Sequence, residues 1–457
     1  MDLLRGAAAA LSLLFALPVA AVQLPTLWVW PGDLCSATLQ ECIDGTAPGD
    51  IVLVATNGPI DESITITGAL DLAAAGGFYP TFSASQFITA RTSSSGDQRI
   101  SIRGLRLDRG FIRVHQQSTG TLTAEVRDNT VTALDNGFPA IWIDGSIGPV
   151  SASVSGNTLE VLPNSAGQQT GIAVTSSLAA HATIDHNLVH VQAGSQAMGI
   201  AVSGQADAAF DVIANRISGV GYNEGIDVSQ SGSGTITARI LDNLVTGQAN
   251  QSGVPGALVL YSGSSSGLLD VTVVNNTFPY DDTAIASRID PPATASVRIA
   301  NNLFTGNSSA AMHLSGLVDG ASLTQDYNLF FANGTDIAAT PSATPGPHSV
   351  FANPHYAASG NYRLLDPSPA ADAGDDAAVP ADLLTDLDGN ARVARSHVDI
   401  GAYEVPEPDA APAAATAAIS AAWAAARRRR ARALERRQRG LSTTTGMSRF
   451  VPAWYLS

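Results

Sequence analysis

Apolar residues recur along this chain at every second position, in short bursts, and each burst is keyed to an asparagine. Counting from Asn129, Asn157, Asn187, Asn215, Asn243, Asn276, Asn302 and Asn328, the residue two places on is always apolar: Val131, Leu159, Val189, Ile217, Val245, Phe278, Phe304 and Phe330. Three places before stand Val126, Val154, Ile184, Val212, Ile240, Val273 and Ile299, with Gln325 the exception. Five before stand Ala124, Ala152, Ala182, Phe210, Ala238, Val271, Val297 and Leu323. A period of two places these side chains on one face of an extended strand. A second alternating run lies between the asparagines, as in Ala140-Ile141-Trp142-Ile143, Gly171-Ile172-Ala173-Val174 and Gly225-Ile226-Asp227-Val228. Each unit therefore predicts at least two short strands and no helix.

The asparagines are spaced 26 to 33 residues apart, so one structural unit is being repeated. Such units do not close a strand–helix–strand crossover, and they carry no propeller signature. What remains is an all-β solenoid that turns once per repeat, with strands stacked about 4.8 Å apart and like residues superimposed. The asparagine has a physical reason to recur: its amide can donate to one coil and accept from another, and asparagine tolerates the left-handed turn between strands. A residue present in every coil reads as structural, since an active site needs only one. Weaker units around Gly68 and Gly104 extend the solenoid to residues 51–365, about 11 coils at the usual stacking distance.

Composition adds the compartment. All 24 basic residues are arginines, which reads as codon bias, and the net charge is −16. Nine of those arginines lie between Arg427 and Arg449, so the body is more acidic than the total suggests. An acidic body repels phosphate backbones, which argues against nucleic acid as a partner. Residues 1–21 read as a signal peptide, with Arg5, an apolar run from Ala7 to Leu17, and Val19-Ala20-Ala21 before the cut. That run is shorter than the roughly 20 residues of a membrane span. Export makes a disulfide between Cys35 and Cys42 chemically permitted. Along one continuous helix their Cα atoms would be about 10 Å apart, so a bridge requires a turn between them; two buried thiols are the other reading.

On these residues the chain resembles the right-handed parallel β-helix repeat proteins of the pectin-lyase-like class, which implies a right-handed parallel β-helix opened by a short N-terminal cap at 22–50. Ser368-Pro369-Ala370-Ala371-Asp372-Ala373-Gly374-Asp375, Asp386-Leu387-Asp388-Gly389-Asn390 and Asp399-Ile400-Gly401-Ala402-Tyr403-Glu404 are similar to the choice-of-anchor Q domain of surface β-helix proteins, giving a module at 366–404. Val405-Pro406-Glu407-Pro408, an Ala-rich stretch and Arg427 to Arg430 are similar to a PEP-CTERM sorting segment at 405–430. That resemblance implies an exosortase-type enzyme as partner and membrane contact through this segment alone. Residues 431–457 are then a basic, disordered tail, and the whole an exported, surface-associated monomer.

Candidate chemistry is sparse. Asp386, Asp388 and Asn390 alternate oxygens around a turn glycine, as calcium loops do and as plain Asx turns also do, so Ca²⁺ is the one metal considered and no cofactor is required. Outward positions of the second strand include Trp142, Asp144 and His313 as ligand-binding candidates. Asp227, Tyr261 and Arg288 are the nearest approach to an acid–base set. Asp144 and Asp227 are three coils apart, about 14 Å by stacking, beyond the roughly 5–9.5 Å of a glycosidase pair. The expectation is a structural or glycan-binding β-helix without catalysis, with extracellular polysaccharide as partner; a polysaccharide lyase or glycoside hydrolase is the alternative.

Overall fold

A computed structural model describes residues 24–405 except 134–136, 164–168, 193–194, 250–255 and 264–265. The expected signal peptide, basic tail and sorting segment (Val405 apart) lie outside the described residues. Within them the chain is an all-β parallel β-helix. One sheet of twelve parallel strands runs from Leu27–Trp30 to Leu323–Asp326, and a second sheet carries the other two strands of each coil.

The coil containing Asn157 shows the unit. Val150–Ser155, Thr158–Val161 and Gln169–Ser176 follow one another around the axis. Each pairs in parallel with its equivalent one repeat later, placing Val154 on Ile184, Leu159 on Val189 and Val174 on Val202. All the apolar positions keyed to the asparagines are buried, including the exceptional Gln325. Phe278, Phe304, Phe330 and Phe351 stack face to face at centroid distances of 5.6, 5.3 and 5.7 Å.

The asparagine ladder forms as a continuous chain of bonds. In each step the backbone N–H and the side-chain amide of one asparagine donate to the Oδ1 of the next, from Asn129 to Asn328, at 2.9–3.2 Å. One expectation is corrected here. The left-handed residue is not the asparagine but its predecessor, at Asp128, Gly156, His186, Ala214, Asp242, Asn275, Asn301 and Tyr327. That residue breaks the strand, so the unit has three strands, and the asparagine is released inward to bridge coils.

The N-terminal region also differs from expectation. The strand Leu27–Trp30 already pairs with Ile51–Val54, so the sheet begins before residue 51, and the cap is an insertion between its first two strands. That insertion holds the helix Leu39–Asp44, whose Thr38 side chain accepts from Glu41 N–H and whose first amides donate to Glu62. Cys35 lies before the helix that carries Cys42, and the chain bends through the extended N-cap Thr38 between them; their Cα atoms are 5.0 Å apart and the two are disulfide-bonded. At the other end the coil stops before 365: Tyr356–Ala358 and Asn361–Leu364 form an antiparallel hairpin beside it.

Residues 366–405 do not cap the end of the solenoid but lie along its flank, over the bends before Asn215, Asn243, Asn276 and Asn302. Leu241, Val274 and Ala300 pack against Ala378 and Leu383, and Ala214 packs against Leu387 and Tyr403. Asn275 and Asn301 donate their amides to the carbonyls of Asp399 and Asp375 at 2.9 and 3.0 Å. At the centre Arg392 is fully buried, bonded to Asp242 at 2.5 Å and to Glu404 at 2.9 Å.

Candidate functional site

The third strand of each coil contributes to two adjacent columns on the side that the pleat turns away from the axis, where the sequence expects outward positions; in the first column, however, Ala173, Asp227, Val259 and Ala286 are buried. One column runs Arg113, Trp142, Ala173, Ala201, Asp227, Val259, Ala286 and His313; the other runs His115, Asp144, Thr175, Ser203, Ser229, Tyr261, Arg288 and Ser315.

The first two binding candidates come together. The Arg113 guanidinium lies 4.0 Å from the centre of the Trp142 ring and pairs with Asp144 at 2.9 Å, while Trp142 donates to the Thr175 hydroxyl at 3.2 Å. His115, beside Asp144 at 3.4 Å, has its pKa lowered by burial against the pull of that carboxylate. His313 is exposed but stands at the far end of its column. Asp227, Tyr261 and Arg288 do not converge. Tyr261 and Arg288 are neighbours in the second column, and Arg288 is paired with Asp290 at 2.9 Å. Asp227 lies in the first column, buried, accepting from Ser229 at 2.5 Å.

What lies near Asp227 is a second acid, Glu224, which the sequence reading passed over. Burial pushes Asp227 up to about 6 and Glu224 up to about 7, the latter also through the charge of Asp227. Glu224 Oε2 is enclosed with no hydrogen-bond partner among the described residues. The sequence signal was present: Glu224 aligns with Thr170 and Met198 on the preceding coils, and it is the acidic residue in that column.

Beyond the columns lies a cleft of about 590 Å³ between the last coils and the hairpin, lined by Tyr280, Phe331, Tyr356 and Tyr362 with Asn353 and His355 at its rim. None of these was singled out in the sequence.

A solved pectate lyase, Pel9A, is similar to this chain in structure. The identity is 13%, the match covers 83% of this chain and 96% of that one, and the TM-score is 0.39. No family model matches the sequence, and no curated protein does.

The calcium candidates are placed as turn and docking elements. Asp386 accepts from the N–H groups of Asp388, Asn390 and Glu404 and from the Asn390 amide. Asp388 is held by Arg216 at 2.9 Å and by Arg363 at 2.5 and 2.7 Å. Among the described residues no group of three or more His, Cys, Asp or Glu has metal-binding geometry.

Proposed function

We propose that this chain is an exported, surface-displayed β-helix that binds extracellular polysaccharide without cleaving it. The observation that carries this reading is the outward ladder itself. Its second column presents the hydroxyl and aromatic groups of Thr175, Ser203, Ser229, Tyr261 and Ser315 on a rigid parallel lattice, while Asp144 and Arg288 are each neutralised by a partner beside them. A lyase needs an unpaired base and a cation-holding acidic cluster at one place, and Arg288 is engaged with Asp290. The signal-peptide and sorting-segment resemblances support display at the cell surface.

The second reading, glycoside hydrolysis, is favoured by Glu224 and Asp227, two acids lifted toward neutrality as a general acid must be. One screen separates the two. Purified protein is offered a panel of extracellular polysaccharides and scored together for retention and for release of reducing or unsaturated ends. Retention without release is expected. Release that is abolished in Glu224→Gln would replace binding by hydrolysis, and neither retention nor release would remove both.

A further inference from the structure

We infer that the cleft between the last coils and the hairpin Tyr356–Leu364 is a second glycan-binding site, selective for uncharged sugars over uronates. This rests on the polysaccharide-binding reading and names the ligand class and the place.

The cleft is built around a side chain held out at a conformational cost. Tyr280 has a backbone φ of 61°, in the left-handed region that bulky residues avoid, and is 60% exposed. The equivalent positions on the next coils are Gly306 and Ala332, also left-handed, so small residues follow the large one. A Cβ at Gly306 would come within 2.6 Å of the Tyr280 ring, so the ring lies directly over that glycine. Phe331, on the strand beside Ala332, exposes its own ring into the same cleft. The opposite wall is fixed from behind. Tyr356 shares a hydrogen bond of 2.7 Å with Thr305, its ring meets that of Tyr362 edge-on at 5.3 Å, and Tyr362 in turn lies 6.2 Å from Tyr280.

Aromatic faces suit the apolar faces of sugar rings, and the rim supplies hydrogen-bonding groups in Asn353, Ser359 and His355. His355 Nδ1 donates to the Pro367 carbonyl at 2.8 Å, since a carbonyl oxygen can only accept, which fixes the orientation of the ring. Among the described residues no carboxylate, guanidinium or ammonium lines the cleft. Burial raises the pKa of both Tyr356 and Tyr362, and the buried Asp281 carboxylate adds to the rise in each. With no cationic side chain in the lining to pair with it, a uronate carboxylate would lose its hydration there without return, a cost that a neutral hexose or pentose chain does not carry. The volume lies within the roughly 300–1,000 Å³ of small-ligand sites.

The test compares the full chain with Tyr280→Ala, Phe331→Ala and Tyr280→Trp in affinity electrophoresis. The gels carry a neutral glucan, mannan or xylan, or polygalacturonate or alginate. Both tyrosine and phenylalanine side chains are exposed, so the variants should keep the wild-type melting temperature. Retention by a neutral polymer should fall about tenfold in each alanine variant, the scale of one aromatic contact, and return in Tyr280→Trp. Wild-type retention that the alanine variants leave unchanged overturns the cleft but not the binding reading. The same follows from displacement by free choline, which would mark a cation cage, or from preference for the acidic polymers at this site. A gain in retention on replacing Pro406 and Pro408 by serine would make the chain's own tail the occupant and overturn the proposal. No retention of any polymer by the wild type removes both proposals.

Discussion

Replacing Asn157 by alanine tests the ladder where it is most continuous. The side chain donates to the Val126 carbonyl at 2.9 Å and to Asn187 Oδ1 at 3.0 Å, and it accepts from the backbone N–H and amide of Asn129 at 3.0 and 3.1 Å. Alanine removes all of these. Asn187 Oδ1 keeps the Asn157 backbone N–H, and the Asn129 amide keeps the Ile102 carbonyl. The Asn129 backbone N–H loses its acceptor outright inside the core. An orphaned buried donor costs about 1–3 kcal/mol, and each remaining lost bond about 1 kcal/mol net. A trapped water would return part of that, so about 3 kcal/mol of destabilisation is expected. Asn328 closes the ladder: it accepts from Asn302 but donates to Ile299 alone, so Asn328→Ala should cost about 1 kcal/mol less. Urea unfolding gives both values, and amide exchange should show Asn129 losing protection. A change under about 0.5 kcal/mol in Asn157→Ala, or a larger loss in Asn328→Ala, would refute the view that these amides hold the coils in register.

Asp242, pushed up to about 8 by burial, and Glu404, pushed up to about 7, are protonated in the fold at pH values where the unfolded chain has released its protons. Their stabilising contribution is therefore full below the unfolded pKa of about 4 and is lost as pH rises through the folded values; melting temperature should fall from pH 5 to pH 9, less steeply in Asp242→Asn. Asparagine fits that left-handed position, as Asn275 and Asn301 show in the next coils. Millimolar calcium should leave the melting temperature unchanged, because Asp386 and Asp388 are already occupied by N–H and guanidinium donors; a clear rise would restore the metal reading. Reducing the Cys35–Cys42 bridge opens a short loop worth about 2–3 kcal/mol of closure entropy, and exchange should increase in the Leu39–Asp44 helix before the coils follow.

The solenoid was legible because each coil restates the same constraints. Val126, Val154 and Ile184 meet the same neighbours, so register, inward face and ladder could all be read by aligning the chain with itself. The left-handed residue was misplaced for a related reason: its identity varies from Asp128 to Ala214 to Tyr327, so it leaves no recurring letter, while the asparagine beside it does. The start of the sheet was missed because the cap helix interrupts it, and Leu27–Trp30 stands alone in the sequence with no repeat around it.

One-off features are harder, yet the flank module shows that a break in the repeat can itself be informative. Two places before the ladder asparagine, the early coils carry Arg127, Ser155 and Asp185, as a solvent-facing position should. The next four carry Ile213, Leu241, Val274 and Ala300, after which Asp326 returns. A column that turns apolar for a few coils has acquired a cover, and residues 366–405 are that cover. The same reasoning marks Glu224 beneath Thr170 and Met198, and Tyr280 beneath Gly306 and Ala332. In a molecule whose architecture is repetition, function is to be sought at the positions where a column changes its character, because only there has the sequence departed from what stacking alone requires.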